Sequence, residues 1–239
     1  MLDSPEAKGR GGAPFVAVVP LRAGSKGLPG KNVRELAGRP LYRHAVEHAR
    51  DAGATRIVIT TDVPEVLSAD HGQDVVLHHR PDALASDTAT MDDVLGDVLA
   101  RGEFDDVDVV LLQPTSPLRR VAQVRGAIDL FRAGAWELVM SVCEADRGVL
   151  KYGTIEDDRF RPLRSAEHPF QNRQSLPRVH RPNGAIYVFA AEWFRHRGSL
   201  ATDSIGAFEM PSADSWDIDN AADFDECERV LNARRRTEQ

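Results

Sequence analysis

The first unbroken apolar run is Phe15–Leu21. A short continuous run of this kind predicts a parallel strand covered on both faces. The pattern returns at Arg56–Thr61, Asp74–Leu77, Val107–Leu112 and Leu138–Val142. Between these runs the apolar positions take helical spacing. Gly38-Arg39-Pro40 opens a helix whose Leu41, Ala45, Val46 and Ala49 share a face, and Gly53 ends it. Val63–His71 predicts a short helix, and Thr90–Ala100 a longer one with Thr88 or Asp87 as its N-cap. Ala122–Ala133 predicts another, stopped by Gly134. Strands and helices that alternate in this way predict an α/β fold: a doubly wound, mostly parallel, Rossmann-like sheet with right-handed crossovers.

The rhythm breaks over residues 145–181. That stretch is rich in charge and holds only short apolar pieces, Leu150–Ile155 and Phe160–Leu163. It predicts an excursion of hairpins and loop, a kind of segment usually kept for function or for an interface. An apolar strand then returns at Asn183–Ala190, with a short helix at Ala191–His196 and a strand at Ile205–Met210. Ser215–Asn220 reads as a turn before a terminal helix, Ala221–Arg234, whose end carries Arg234-Arg235-Arg236.

Composition narrows the class rather than the fold. The chain of 239 residues carries a net charge of -7, which argues against a general nucleic-acid binder but leaves room for a local basic pocket. Cys143 and Cys227 are too few and too far apart for a disulfide framework or a zinc site. No apolar run is long enough to span a membrane, and residues 1–13 have no apolar signal core. Those residues read as a disordered tail before one domain, 14–239, and the expected location is cytoplasmic.

The loop after the first strand carries the chemistry. Pro20–Asn32 packs one arginine, two lysines, a serine and three glycines into a turn. Glycines let the backbone approach a ligand, and successive N–H groups can form an anion-binding nest. Ligands of open α/β sheets bind beyond the carboxyl ends of strands, where this loop lies. Its spacing matches neither GxxxxGK[ST] nor GxGxxG, which disfavours a P-loop kinase and a nicotinamide site. Two more segments should meet it: Arg80–Ala89, and the rigid turn Gln113–Arg119 with its two prolines. The acids Asp217 and Asp219 stand at i and i+2. In extended backbone they point the same way and can share Mg²⁺ with phosphate oxygens; in a helix-initiating turn Asp219 is an N-cap instead. Polyphosphate, Mg²⁺ and a second substrate together point to nucleotidyl transfer, with no general base identified.

The residues also resemble a known family. Pro20–Asn32 is similar to the signature loop of the CMP-sialic acid synthetases, or N-acylneuraminate cytidylyltransferases. So are Arg80-Pro81 with Leu84–Ala89, Leu112–Arg119, Arg181–Tyr187 and Asp217-Ile218-Asp219, in the family's order from about Phe15 to Leu231. The resemblance implies a CTP-dependent enzyme that yields a CMP-sugar and pyrophosphate. It implies a doubly wound core whose small excursion makes a homodimer and reaches the partner's active site. Arg22 and Lys31 would then bind the triphosphate, with Ser25 and Lys26 shaping the loop. Asn32, Arg80 and Ala89 would lie by the cytidine. Gln113 would meet the sugar acid, and Asp217 and Asp219 would ligate Mg²⁺. Lys151 and Arg173 would face the sugar carboxylate, and Arg181 and Tyr187 fit the acceptor side. Read without the resemblance, Lys151 is equally an exposed lysine, Arg173 a partner for Glu167, and Tyr187 a core residue. The aromatic residues that line the N-acyl pocket in some members have no counterpart near Ser199–Ala201, which leaves the acceptor open among sialic-type acids. A Kdo, phosphonate or phosphate acceptor and a catalytically silent nucleotide-binding protein are the rival readings.

Overall fold

A computed structural model describes residues 13–24, 27–102, 104 and 106–237. The elements in order are β1 (Phe15–Pro20), β2 (Glu35–Leu36), β3 (Arg39–Pro40), α1 (Leu41–Ala52), β4 (Arg56–Thr61), α2 (Pro64–Ser68), β5 (Val75–His79), α3 (Asp82–Ala85) and α4 (Met91–Arg101). They continue with β6 (Asp108–Leu112), α5 (Val121–Ala133), β7 (Leu138–Ala145), β8 (Gly153–Glu156), β9 (Arg159–Pro162), β10 (Val179–Ala190), α6 (Ala191–Arg197), β11 (Ile205–Glu209) and α7 (Ala221–Thr237).

The main sheet has seven strands in the order β11-β7-β10-β6-β1-β4-β5. β1 pairs in parallel with β4 and β6, as do β4 with β5 and β7 with β11. β10 runs antiparallel to both β6 and β7. The doubly wound, mostly parallel sheet is therefore as the pattern predicts, with one reversed strand inside it. The hydrophobic run of β10 could not announce its direction. That follows from the excursion, which returns the chain from the far end of β7.

Helices cover both faces, which is why β1 is apolar throughout and β6 is apolar beyond Asp108, a buried acid paired with Arg132 at 2.9 Å. α1 and α5 bury Ala45, Ala49, Val124 and Ile128 against one face. α4 and α6 bury Leu95, Val98 and Phe194 against the other. A third cluster ties Leu36, Leu41, Leu118, Ile218, Phe224 and Cys227 together, so α7 is anchored beside the loops after β1 and β6.

Several boundaries differ from the sequence reading. The cap of α4 is Thr90 rather than Thr88 or Asp87: its hydroxyl accepts from Asp93 N–H, and Asp93 accepts back from Thr90 N–H. The reciprocal box outcompetes a lone cap. Arg39-Pro40 pair with Glu35-Leu36 in a small ladder before α1 starts at Leu41. α2 is shorter than Val63–His71, and β10 reaches back to Val179, so Arg181 lies in a strand. The excursion holds the β8–β9 hairpin and turns of 3₁₀ helix, as expected. The proposed tail, Ala13 apart, lies outside the described residues, as do Ser25 and Lys26.

Candidate active site

The sheet order reverses where β4 and β6 leave β1 on opposite sides, and a crevice opens there. The loop after β1 and the turn after β6 form its walls. A cavity of about 410 Å³ is lined by Arg22, Gly27, Lys31, Asn32, Arg80, Asp87, Ala89, Gln113, Thr115 and Asp219. Leu84, Met91 and Val94 supply apolar surface. The sequence-derived residues of the nucleotide side thus meet in one place, Ser25 and Lys26 lying outside the described residues, and Gln113, expected on the acceptor side, lines the same chamber.

Each basic group is held differently. Arg22 pairs with Asp87 at 2.8 Å and reaches the Ala85 carbonyl at 3.4 Å, with a third of its side chain exposed. Arg80 is buried and donates to the Thr60 carbonyl at 2.9 Å. Burial lowers its pKa, and the charge of Arg22 adds to the effect. Asn32 is buried and donates to the Arg22 carbonyl at 3.1 Å, which braces the loop across its own width. Lys31 is buried too. Its Nζ donates to the Ile218 carbonyl and lies 3.6 Å from Asp219 Oδ1.

The acid turn is extended and pinned through its middle residue. Ile218 is fully buried, its N–H donates to the Thr115 carbonyl at 2.8 Å, and its carbonyl takes Lys31. Asp217 and Asp219 flank it on the side of the crevice. The alternative of Asp219 as N-cap is overturned: Asn220 Oδ1 accepts from Asp223 N–H at 3.0 Å, and Asp219 N–H donates to Asp223. The Asp219 carboxylate is thereby left to face the cavity. Burial raises the Asp217 pKa; the Thr115 hydroxyl, Lys31 and Arg181 oppose this, and Asp219 reinforces it. Asp217 Oδ1 is buried without a hydrogen-bond partner. A buried, unpartnered carboxylate oxygen beside a second carboxylate fits a hard divalent cation completed by phosphate oxygens and water. Among the described residues no group of three or more His, Cys, Asp or Glu could cage a metal.

Beyond the acid turn lies a second chamber of about 650 Å³, lined by Arg181, Ser212, Ser215, Trp216, Asp217, Asp219 and Asp223. Asp219 lines both chambers. Tyr187 packs its ring on the core; burial raises its pKa, and the charge of Asp217 adds to that. Lys151 and Arg173 line neither chamber. Lys151 ends a 3₁₀ turn of the excursion, and Arg173 pairs with Asp146 at 2.5 Å rather than with Glu167.

Three contributors were not legible beforehand. Asp87 reads as a cap until its distance to Arg22 is known. Thr115 lies in a quoted motif but shows its role only through Asp217. Trp216 reads in sequence as part of a turn; its one signal is a large aromatic beside paired acids.

The loop–strand architecture and the basic, acid-edged crevice define a nucleotidyltransferase-like protein. The sequence pattern of the cytidylyltransferase family matches residues 16–147. The chain belongs to the cytidylyltransferase family, and the resemblance of its motifs to CMP-sialic acid synthetases is borne out. It is 31% identical over 214 residues to the N-acylneuraminate cytidylyltransferase of Streptococcus agalactiae serotype V, a match covering 87% of the chain and 51% of that enzyme. The chain thus spans about half the length of that relative. It is 30% identical to the CMP-N,N'-diacetyllegionaminic acid synthase of Legionella pneumophila, covering 91% of the chain and 96% of that protein. In fold it is similar to a CMP:2-keto-3-deoxy-manno-octonic acid synthetase solved with CTP. That match has a TM-score of 0.70 and 19% identity, covering 93% of the chain and all of that structure.

Proposed function

We propose that the chain is a CTP-dependent cytidylyltransferase that activates a nonulosonic, sialic-type acid, giving CMP-sugar and pyrophosphate. The observation that carries this is the two-chambered crevice with Asp219 on the shared wall. One chamber is basic and deep enough for a nucleotide. The other sets Arg181, two serine hydroxyls and an indole beside the carboxylates of Asp217, Asp219 and Asp223, so an anionic sugar would enter it together with the metal ion. The relatives named for sialic and legionaminic acids support that acceptor class.

In this reading Arg22 and Lys31 hold the triphosphate and stabilise the departing pyrophosphate. Arg22 exchanges its Asp87 partner for phosphate oxygens. Arg80, Asn32 and Ala89 bound the cytidine. Ser25 and Lys26 shape the loop. Gln113 and Arg181 orient the acceptor, with Tyr187 behind them, so that its anomeric hydroxyl faces the α-phosphate in line. Mg²⁺, held by Asp217 and Asp219, would neutralise charge on the α-phosphate and acidify the attacking hydroxyl. Asp217 or Asp219 can accept that proton as it leaves.

Lys151 and Arg173 reach an acceptor only from a second copy. The excursion of one chain presents Tyr152, Ile155, Phe160, Leu163 and Phe170 to solvent, between 53% and 89% exposed. An apolar surface of this kind, beside two basic residues that the resemblance assigns to an acceptor, supports a homodimer that shares its sites. No helix among the described residues is long and apolar enough to cross a membrane. The cytoplasm, where CTP is made, is the proposed location.

The test is pyrophosphate release from CTP and Mg²⁺ with N-acetylneuraminate, deaminoneuraminate, legionaminate and Kdo. Release with a nonulosonic acid and its loss on chelation support the reading. Release with Kdo alone would move the acceptor class, and release with none would refute the proposal.

A further inference from the structure

We propose that Arg119, which lines neither chamber, is a positioning residue that fixes the acceptor side of the crevice to the turn after β6. The inference rests on the cytidylyltransferase reading of that crevice.

Arg119 is 1% exposed, and among the described residues it has no carboxylate partner. Burial alone lowers its pKa to about 9. A buried guanidinium without a counter-ion is costly, so its placement needs a reason. Its two terminal nitrogens donate to the Gln113 carbonyl at 2.8 Å and the Ala185 carbonyl at 2.7 Å. The position of those two carbonyls is informative. The ladder between β6 and β10 ends at the pair Ile186–Leu112. Ala185 and Gln113 are the next residues outward, and Arg119 joins them where the ladder stops.

The ladder must stop there because β10 is irregular. Its pairing with β7 shifts between Pro182 and Tyr187, and Gly184 has φ +74°. Irregularities of this kind re-aim side chains beside functional sites. Here the shift separates Arg181, in the second chamber, from the regular strand that carries Tyr187. Asn183 secures the inner side. Its Oδ1 accepts from Ser141 at 2.6 Å and from Ala185 N–H at 3.2 Å, and its Nδ2 donates to Ser215 Oγ at 2.9 Å. Ser215 begins the acid turn. The Thr115 carbonyl, two residues beyond Gln113, accepts from Ile218 N–H in the middle of that turn. The irregular strand, the Gln113 turn and the acid turn therefore form one closed network, with Arg119 joining its two sides.

Loss of Arg119 takes its donor from the buried Ala185 carbonyl and leaves the half-buried Gln113 carbonyl only the long contact from Ser116 N–H at 3.4 Å. The Ala185 carbonyl finds water only if the Gln113 turn and the irregular strand separate. Displacements of about an ångström at reacting groups cost on the order of 10²-fold in rate. The nucleotide chamber shares the Gln113 turn, but most of its lining comes from Pro20–Asn32 and from residues 80–94, which Arg119 does not touch, so it should keep most of its affinity.

The experiment compares wild type with Arg119→Met and Arg119→Lys, all assayed below their melting temperatures. The expected result for Arg119→Met is a kcat loss of roughly ten- to a hundredfold, a raised KM for the sugar acid, and a KM for CTP within about twofold. Arg119→Lys, which can reach one carbonyl, should recover part of the loss. A merely structural role would lower the melting temperature and spare kcat, and that result overturns the proposal. If Arg119→Met does not fold, undiminished kcat in Arg119→Lys overturns it and lowered kcat supports it. If wild type itself turns over no sugar acid, the functional reading fails separately. Mn²⁺ binding to the acid pair, followed by electron paramagnetic resonance, then decides: weaker binding in the variants supports positioning, and unchanged binding refutes it.

Discussion

Gly27 and Gly24 lie in the same basic loop and should behave oppositely. A Cβ on Gly27 would stand 2.1 Å from the Asp219 carbonyl oxygen and 3.2 Å from its carbon, where ordinary contact starts at 3.4 Å. The obstacle is backbone, so no side chain can swing away. Either the loop or the acid turn must retreat by about an ångström, which is the scale that costs on the order of 10²-fold in rate. The acid turn resists: Ile218 is buried beneath it, Thr115 and Lys31 bond to it, and Asp223 accepts its Asp219 N–H. A Cβ on Gly24 meets nothing within 4 Å. Gly27→Ala should therefore lower kcat/KM for CTP by on the order of a hundredfold while the protein stays folded. Gly24→Ala should stay within about twofold, well under 1.4 kcal/mol.

The assay is steady-state pyrophosphate release, with thermal melting of each variant as the folding control. An unchanged kcat/KM in Gly27→Ala would refute the close packing of the loop on the acid turn. So would an equal loss in both, because that would trace the effect to backbone freedom in the loop rather than to contact with Asp219.

Two further outcomes are expected. Ile155→Ser combined with Phe170→Ser should convert a dimer to a monomer in sedimentation velocity and remove most turnover; a wild type that is monomeric and active would refute the shared site. His44 and His48 pack near Arg119, Arg39 and Arg235 or Arg234, and burial with those cations lowers their pKa values to about 4 and about 3. The folded state therefore keeps both neutral while the unfolded chain takes up protons below pH 6.5. Their share of stability is complete above that value and falls with pH by about 1.4 kcal/mol per unit for each histidine. Urea unfolding at pH 7.5 and 5.5 should show the loss, and His48→Gln should flatten it; an unchanged slope in that variant would refute the assignment.

The nucleotide half of the crevice was readable because its parts are local. Basic residues and glycines in one short loop at the end of an apolar strand already imply a phosphate cradle, and the sheet rule places it. The acceptor half is distributed. Arg181 depends on an irregular strand, Asp217 on Thr115, and both on Arg119, which in sequence is the last residue of the proline turn with no role of its own. The run Asn183–Ala190 is equally apolar in either direction, so its reversal against β6 was invisible to periodicity. Asp87 illustrates the same limit on a smaller scale. Its position before α4 makes it a plausible cap, but Thr90 and Asp93 cap the helix between them, and the carboxylate turns to Arg22. Capping is decided within four residues, whereas the pairing with Arg22 spans 65 and needs the finished sheet. A residue whose local role is taken by a neighbour is therefore a good place to look for a long-range one. Asp219, displaced as a cap by Asn220, follows the same logic on the opposite wall of the crevice.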